Sequence, residues 1–199
     1  MDPEAVMRAW DEVAATYANR RDPDGSDAAL IADLLADLPP EPLVLDVGCG
    51  DGARTLANLP DDAVGLDVSR AGLDLATERV PASRLVHGEM SRLPVRTDAV
   101  DGITAYHAVF HVPREDHPTV YREFARALRP RGRLLATLPG GRYETVRRGW
   151  MDGEMFFSTP GRAATLEHLR DAGFRIDRTP TADDPLGSAT EFVVAVREE

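Results

Sequence analysis

Short runs of consecutive apolar residues alternate along this chain with stretches whose apolar residues recur every third or fourth position. The first rhythm suits strands buried on both faces, the second amphipathic helices. Two helical stretches come first. PEAVMRAWDEVAATYANRR, residues 3–21, has Asp2 in the capping position and Pro3 at the first helical position. SDAALIADLLADL, residues 26–38, has Ser26 as cap and Leu30, Leu34, Leu35 and Leu38 on one face. DPDG separates the two, and LPPEP ends the second. From residue 43 onward the alternation is regular. Strands are expected at 43–47 (LVLDV), 63–68 (AVGLDV), 83–89 (SRLVHGE), 99–109 (AVDGITAYHAV) and 132–139 (GRLLATLP). Helices are expected between them at 52–59, 70–80 and 114–130, the last with Pro118 near its start. This order predicts an α/β fold, a parallel sheet covered on both faces.

The tail breaks the rhythm. TPGRAATLEHLRDAG, residues 159–173, reads as a helix capped by Thr159 and closed by Gly173. FRIDRT (174–179) and TEFVVAVREE (190–199) read as two strands joined by a polar loop, able to form an antiparallel pair at one sheet edge. Between strand five and this helix, GGRYETVRRGWMDGEMFFS (140–158) is glycine-broken, rich in aromatics and matches no regular element.

Composition narrows the classes. A chain of 199 residues with 43% hydrophobic content suits a single domain, 1–199, with a sizeable core. No apolar run approaches the roughly 20 residues a bilayer span needs, and the acidic, mixed N-terminus is not a secretory signal. A cytoplasmic location and no membrane partner are the expectation. The one cysteine, Cys49, excludes an internal disulfide framework and a cysteine-based zinc cluster. A net charge of −11 disfavours nucleic acid as a partner. All 23 basic residues are arginine, and Asp outnumbers Glu. That balance reads either as an acidic, halophile-type protein or as the codon bias of a GC-rich genome.

The candidate chemistry sits in LDVGCGDG, residues 45–52, directly after the first strand of the alternation. Its glycines satisfy both G-x-G-x-x-G/A, the dinucleotide pattern, and G-x-G-x-G, the pattern of S-adenosylmethionine sites. Charge separates the two. A dinucleotide would lay an anionic diphosphate on this turn, where the carboxylate of Asp46 repels it. A sulfonium and an ammonium are cations, and opposite unit charges about 4 Å apart gain roughly 4 kcal/mol at an effective dielectric of 20. Alternatively, Asp46 simply caps the turn. Asp67, about 20 residues beyond the turn at the end of the next strand, suits a ribose diol, or caps the helix that starts near Arg70. Glu89, after the third strand, can accept an adenine amino group while the Met90 N–H meets a ring nitrogen, or is a surface acid.

VLDVGCGDG, GLDVS, GEMSRLPV, AVDGITAYHAVFHV and REFARALRPRGRLLATLP occur in that order, with LEHLRDAGF before the penultimate strand. In this the chain resembles the class I S-adenosylmethionine-dependent methyltransferases, particularly the small-molecule, type 11-like branch that includes quinone-biosynthesis enzymes. The resemblance is strong over 43–139 and weaker over 162–199. It implies a Rossmann-like seven-stranded sheet of order 3-2-1-4-5-7-6, strand seven antiparallel, with helices on both faces. It also implies S-adenosylmethionine as cofactor, S-adenosylhomocysteine as product and a small-molecule methyl acceptor. By the same resemblance Asp46, Gly48, Cys49 and Gly50 face the methionine part and Asp67 binds the ribose. Val68 lies beside the adenine, Glu89 and Met90 address it, and Ala105 and Tyr106 offer backbone to the amine. Residues 1–38 correspond to a helical lid that brings Tyr17 to the methionine end, and residues 140–161 to a substrate lid. Glu89 departs from the family, where Asp is commoner.

Methyl transfer from a sulfonium is an in-line displacement that can rest on alignment alone. A general base is needed only for a protonated nucleophile. His107 and His111, four apart, are the candidates for that role; otherwise they shape the pocket. As a metal pair they lack a third ligand, so no metal is expected. Tyr143, Trp150, Met151, Met155, Phe156 and Phe157 would either line an apolar acceptor pocket or pack on the sheet. Arg142, Arg147 and Arg148 would bind an acidic acceptor or stay solvated. A non-catalytic S-adenosylmethionine-binding or accessory protein is the alternative reading, and an NAD-dependent oxidoreductase is disfavoured by Asp46.

Overall fold

The protein is described by a computed structural model covering residues 3–22, 25–183 and 186–199; the expected cap Asp2 lies outside the described residues. The elements are α1 (Pro3–Arg20), α2 (Asp27–Ala36), β1 (Val44–Val47), β2 (Val64–Asp67), α3 (Arg70–Arg79), β3 (Arg84–His87), β4 (Val100–Ala105), α4 (His117–Ala127), β5 (Leu128–Thr137), β6 (Arg142–Trp150), β7 (Gly153–Pro160), α5 (Arg162–Asp171), β8 (Phe174–Arg178), β9 (Thr181–Asp183) and β10 (Ala189–Arg197). The central sheet runs β3-β2-β1-β4-β5-β10-β8, with the short β9 paired to β10. Pairing from β3 through to β5 is parallel, and β10 is antiparallel to both β5 and β8. This is the expected order 3-2-1-4-5-7-6 with its last strand in sequence reversed.

β1 and β4 are buried along their whole length, as continuous apolar runs in a sheet covered on both faces must be. One face carries Tyr121 and Phe124 of α4 with Leu166 and Leu169 of α5. The other carries Ile31 and Leu34 of α2 with Leu73 and Ala76 of α3. Full burial of a side chain such as Phe124 contributes about 1.5–3 kcal/mol. Pro118 lies in the first turn of α4, where its missing N–H deprives the helix of nothing. Among the described residues no helix is long and apolar enough to cross a membrane.

Four local expectations are corrected. The stretch 52–59 forms only a short 3-10 turn, Leu56–Asn58, because Gly52 is left-handed (φ 74°) and Arg54 and Thr55 spend their side chains on remote partners. Ser26 does not cap α2; its hydroxyl accepts from the Asp183 N–H at 3.0 Å, tying β9 to the helix. Thr159 belongs to β7, and Gly161 precedes α5. The largest departure is 140–158, which forms the antiparallel hairpin β6–β7, separate from the central sheet. Its two-residue turn, Met151-Asp152, has both residues at positive φ (53° and 68°), as a type I′ turn requires. Asn-Gly normally announces that turn, so Met-Asp hid it. Gly149 (φ 75°) marks an irregularity in the ladder just before the turn. β7 is buried and β6 largely exposed, and the hairpin packs on α1 through Val13, Met155 and Phe157, joined by Trp10, Phe110 and Trp150.

Candidate functional site

The site is built at the carboxyl edge of the parallel strands, where open α/β sheets hold ligands. After β1 the chain turns sharply through Gly48 and Gly50, both left-handed (φ 77° and 54°). A Cβ on Gly48 would stand 2.4 Å from that of Ala108, so only glycine lets this turn touch the segment after β4. A Cβ on Gly50 would meet nothing within 4 Å. The Gly48 N–H donates to the Leu66 carbonyl at 2.7 Å, and the Gly50 N–H donates to Asp67 Oδ2, also at 2.7 Å. Asp67 Oδ1 accepts from the Ser69 N–H at 2.7 Å. Asp67 lies on the wall of a cleft, and burial raises its pKa despite these hydrogen bonds. Further along the same wall come Val68, Glu89 and Met90, with Glu89 exposed at the rim. His87 Nε2 meets the Val68 carbonyl at 2.9 Å and steadies that end.

Two of the expected residues lie off the wall. Asp46 is 1% exposed beneath the turn, its Oδ1 accepting from Thr104 Oγ1 at 2.6 Å and its Oδ2 from the Thr55 hydroxyl. Burial pushes its pKa up to about 6, the two hydroxyls countering only part of that. Asp46 therefore underlies the turn rather than facing the cleft. Ala105, at the end of β4, is wholly buried in the core, and the residues after it, Tyr106, His107 and Ala108, form the wall instead. Cys49 lines the cleft, but its buried thiol is held well above its usual pKa. Its sulfur would lie 2.9 Å from a Cβ on Gly65, so it fills the gap between turn and β2.

A second, open cavity of about 580 Å³ adjoins the first, and the two share Trp10, Tyr17, His107 and His111. His107 is left-handed (φ 51°), held there by its N–H donating to Thr137 Oγ1 at 2.8 Å. His111 lies in a 3-10 turn, Val109–His111, with Nδ1 2.8 Å from the Phe156 carbonyl of β7. A carbonyl only accepts, so Nδ1 carries the proton and Nε2 is the free lone pair. Burial lowers the His111 pKa to about 4. The ring is neutral at physiological pH, packed edge-on to Trp10 with centroids 4.9 Å apart. Of the three arginines on β6, only Arg147 lines the second cavity; Arg148 pairs with Glu154 at 3.2 Å outside it. Among the described residues no three His, Cys, Asp or Glu side chains converge as a metal ion needs.

The model of a methyltransferase domain matches residues 44–132, from β1 into β5. Methyltransferase GfsG of Streptomyces halstedii is 36% identical over 137 residues, 63% of this chain and 48% of its own length. The tRNA (carboxymethyluridine(34)-5-O)-methyltransferase alkbh8 of Xenopus tropicalis is 29% identical over 68% of this chain and 21% of its own length. Magnesium protoporphyrin IX methyltransferase from Synechocystis, solved with S-adenosylhomocysteine, superposes with a TM-score of 0.76 at 19% identity, covering 99% of this chain and 100% of that one. Over residues 44–132 the chain is similar to methyltransferase domains, and its fold matches that of a solved methyltransferase. It spans about half the length of the first of these relatives and about a fifth of the second.

What this chain adds around the turn is a helix fastened by charge. α1 lies over the first cavity, contributing Trp10 and Tyr17, whose rings meet edge to face at 5.4 Å. Asp11 accepts from Ser69 Oγ at 2.7 Å and from the Ala71 N–H at 3.1 Å, at the N-terminus of α3, where a carboxylate is favoured. Just past the other end of α1, buried Arg21 pairs with buried Asp51 of the glycine turn, and Arg79 pairs with the same carboxylate. Arg54 donates to the carbonyls of Asp22 (2.6 Å) and Asp183 (2.9 Å). Sequence reasoning missed Trp10, Arg21, Asp51, Arg54, Thr55 and Thr104. Asp51 stood within the motif beside the glycines, and Arg54 and Thr55 follow it directly; Trp10, Arg21 and Thr104 lie far from it in sequence.

Proposed function

We propose that this protein binds S-adenosylmethionine in the first cavity and transfers its methyl group to a small molecule in the second. The adjoining cavities, with Trp10, Tyr17, His107 and His111 as their common wall, carry this reading. A methyl donor and its acceptor must meet in line, and two pockets meeting at one wall allow that. The bound cofactor supplies the electrophilic methyl; the protein supplies alignment. The first cavity fits the cofactor chemically. Asp67, a buried carboxylate on the wall, suits the ribose diol, and Val68, Glu89 and Met90 suit the adenine. At the other end Arg21 and Asp51, a paired cation and anion, suit the zwitterionic methionine part beside Tyr17. Asp46, one layer down, adds its field rather than a contact.

His111 positions rather than titrates. A conjugate acid of pKa about 4 does not hold a proton at neutral pH, so the Nε2 lone pair serves as a hydrogen-bond acceptor at the common wall. A small acceptor is favoured over nucleic acid because the chain carries a net charge of −11, and a phosphate backbone requires a basic field. Titration calorimetry with S-adenosylhomocysteine and NAD tests the cofactor assignment. One-site binding of S-adenosylhomocysteine and no binding of NAD are expected; NAD binding with S-adenosylhomocysteine excluded would overturn the reading.

A further inference from the structure

The second cavity has a chemistry of its own. Phe110, Phe157 and Tyr143 line it together with Trp10, Tyr17 and Trp150, so aromatic faces and edges form a large share of its wall. Phe110 and Phe157 stack at 5.8 Å, 25° from parallel, and Trp150 meets Phe157 edge-on at 5.5 Å. Such walls hold a flat apolar body. One charge stands out among them. The Arg147 guanidinium lies 4.6 Å from the centre of the Phe157 ring, and among the described residues it makes no ion pair and no hydrogen bond. Acids outnumber arginines 34 to 23 here, and neighbouring Arg148 has found a carboxylate; Arg147 has a ring instead. The strand explains the difference. Tyr143 and Arg147 share one face of β6 and look into the cavity, while Glu144 and Arg148 take the other. Among the described residues the one carboxylate on the cavity wall, Glu191, is held by Arg162 through two hydrogen bonds of 2.8 and 2.7 Å, which offsets its charge.

We infer that the methyl acceptor is a planar, aromatic or conjugated small molecule bearing an anionic group, its body against Phe110, Trp150 and Phe157 and its anion paired with Arg147. The inference rests on the proposed transferase reading for its role, but not for its binding. A guanidinium stacked on a ring keeps its in-plane N–H donors free for a carboxylate. Because Arg147 is exposed, the pair is partly screened, and a discrimination of about fivefold, or about 1 kcal/mol, is expected.

The chain's two tryptophans, Trp10 and Trp150, both line this cavity, so intrinsic fluorescence reports its occupancy directly. The full chain is titrated with 3-phenylpropionate and with its neutral isostere 3-phenylpropionamide, with and without saturating S-adenosylhomocysteine. The carboxylate is expected to bind about fivefold tighter than the amide. Arg147→Gln should bring the two within about twofold, Arg147→Lys should restore part of the preference, and Arg148→Gln should leave it whole. S-adenosylhomocysteine affinity, followed by calorimetry, should be the same in all variants, which shows that each is folded. Equal binding of carboxylate and amide by the parent protein, or a preference that survives Arg147→Gln, overturns the inference. Absence of S-adenosylhomocysteine binding with the carboxylate preference intact would overturn the transferase reading and leave this site standing.

Discussion

Asp46 occupies a position that costs the fold free energy. Its carboxyl has an ordinary pKa near 3.8 and is pushed to about 6 by burial, so the folded protein holds a proton that the unfolded chain releases between those values. The sign follows: this site's contribution is most favourable below about pH 4 and is lost as pH rises through about 6. Two pKa units correspond to roughly 3 kcal/mol. Asp46→Asn removes the charge and keeps both threonine hydroxyls paired, one donating to the amide oxygen and one accepting from its NH2. Urea unfolding is therefore expected to show the variant at least as stable as the parent at pH 7–8, with a flatter profile between pH 4 and 6. A loss of more than about 1 kcal/mol at pH 8 would contradict this account. Reading the acid from the motif was straightforward; its burial was not, because Thr55 and Thr104 stand 9 and 58 residues away.

Among the elements, α1 and the β6–β7 hairpin decide what the sheet edge can bind. α1 is held at one end by Asp11 on α3 and at the other by Arg21 on Asp51. The Arg21 and Asp51 side chains are 4% and 6% exposed, whereas that of Arg79 is 35% exposed. Removing one partner of a buried pair leaves an uncompensated charge, at a cost of about 3–5 kcal/mol; a half-exposed partner contributes about 0–1 kcal/mol. Asp51→Ala should thus lower the unfolding free energy several-fold more than Arg79→Ala, and trypsin should cut faster after Arg20 and Arg21 in the first variant only. Equal losses for the two would mean that Asp51 is not the anchor. The helical pattern of 3–21 was plain in the sequence, since it needs only local spacing. The hairpin was not, since its turn is made by Met151 and Asp152 under tertiary constraint, and the burial of β7 comes from α1 and the turn holding His111.

On the scale of the whole molecule, charge is the conspicuous property. With a net charge of −11, like charges repel in the folded state, and salt screens them over about 8 Å at physiological ionic strength. The thermal midpoint is expected to rise as KCl goes from 0.05 to 1 M (roughly, the range over which the screening length falls from above 10 Å to about 3 Å). A midpoint highest in the lowest salt would show that specific ion pairs such as Arg162–Glu191 outweigh the net field. The sequence by itself determined the parallel sheet, its strand order through the resemblance, the glycine turn and the acids at the ends of β1 and β2. The strand order is what the resemblance implied; the rest is set by spacing along the chain, because buried strands, amphipathic helices and left-handed turns are local demands on residue type. Only the tertiary structure decided that Asp46 lies under the turn, that Arg21 meets Asp51, and that Trp10 and His111 stand between two cavities with Arg147 in the second. Those are contacts between remote segments, and no periodicity records which helix face or hairpin edge will come to rest on which loop.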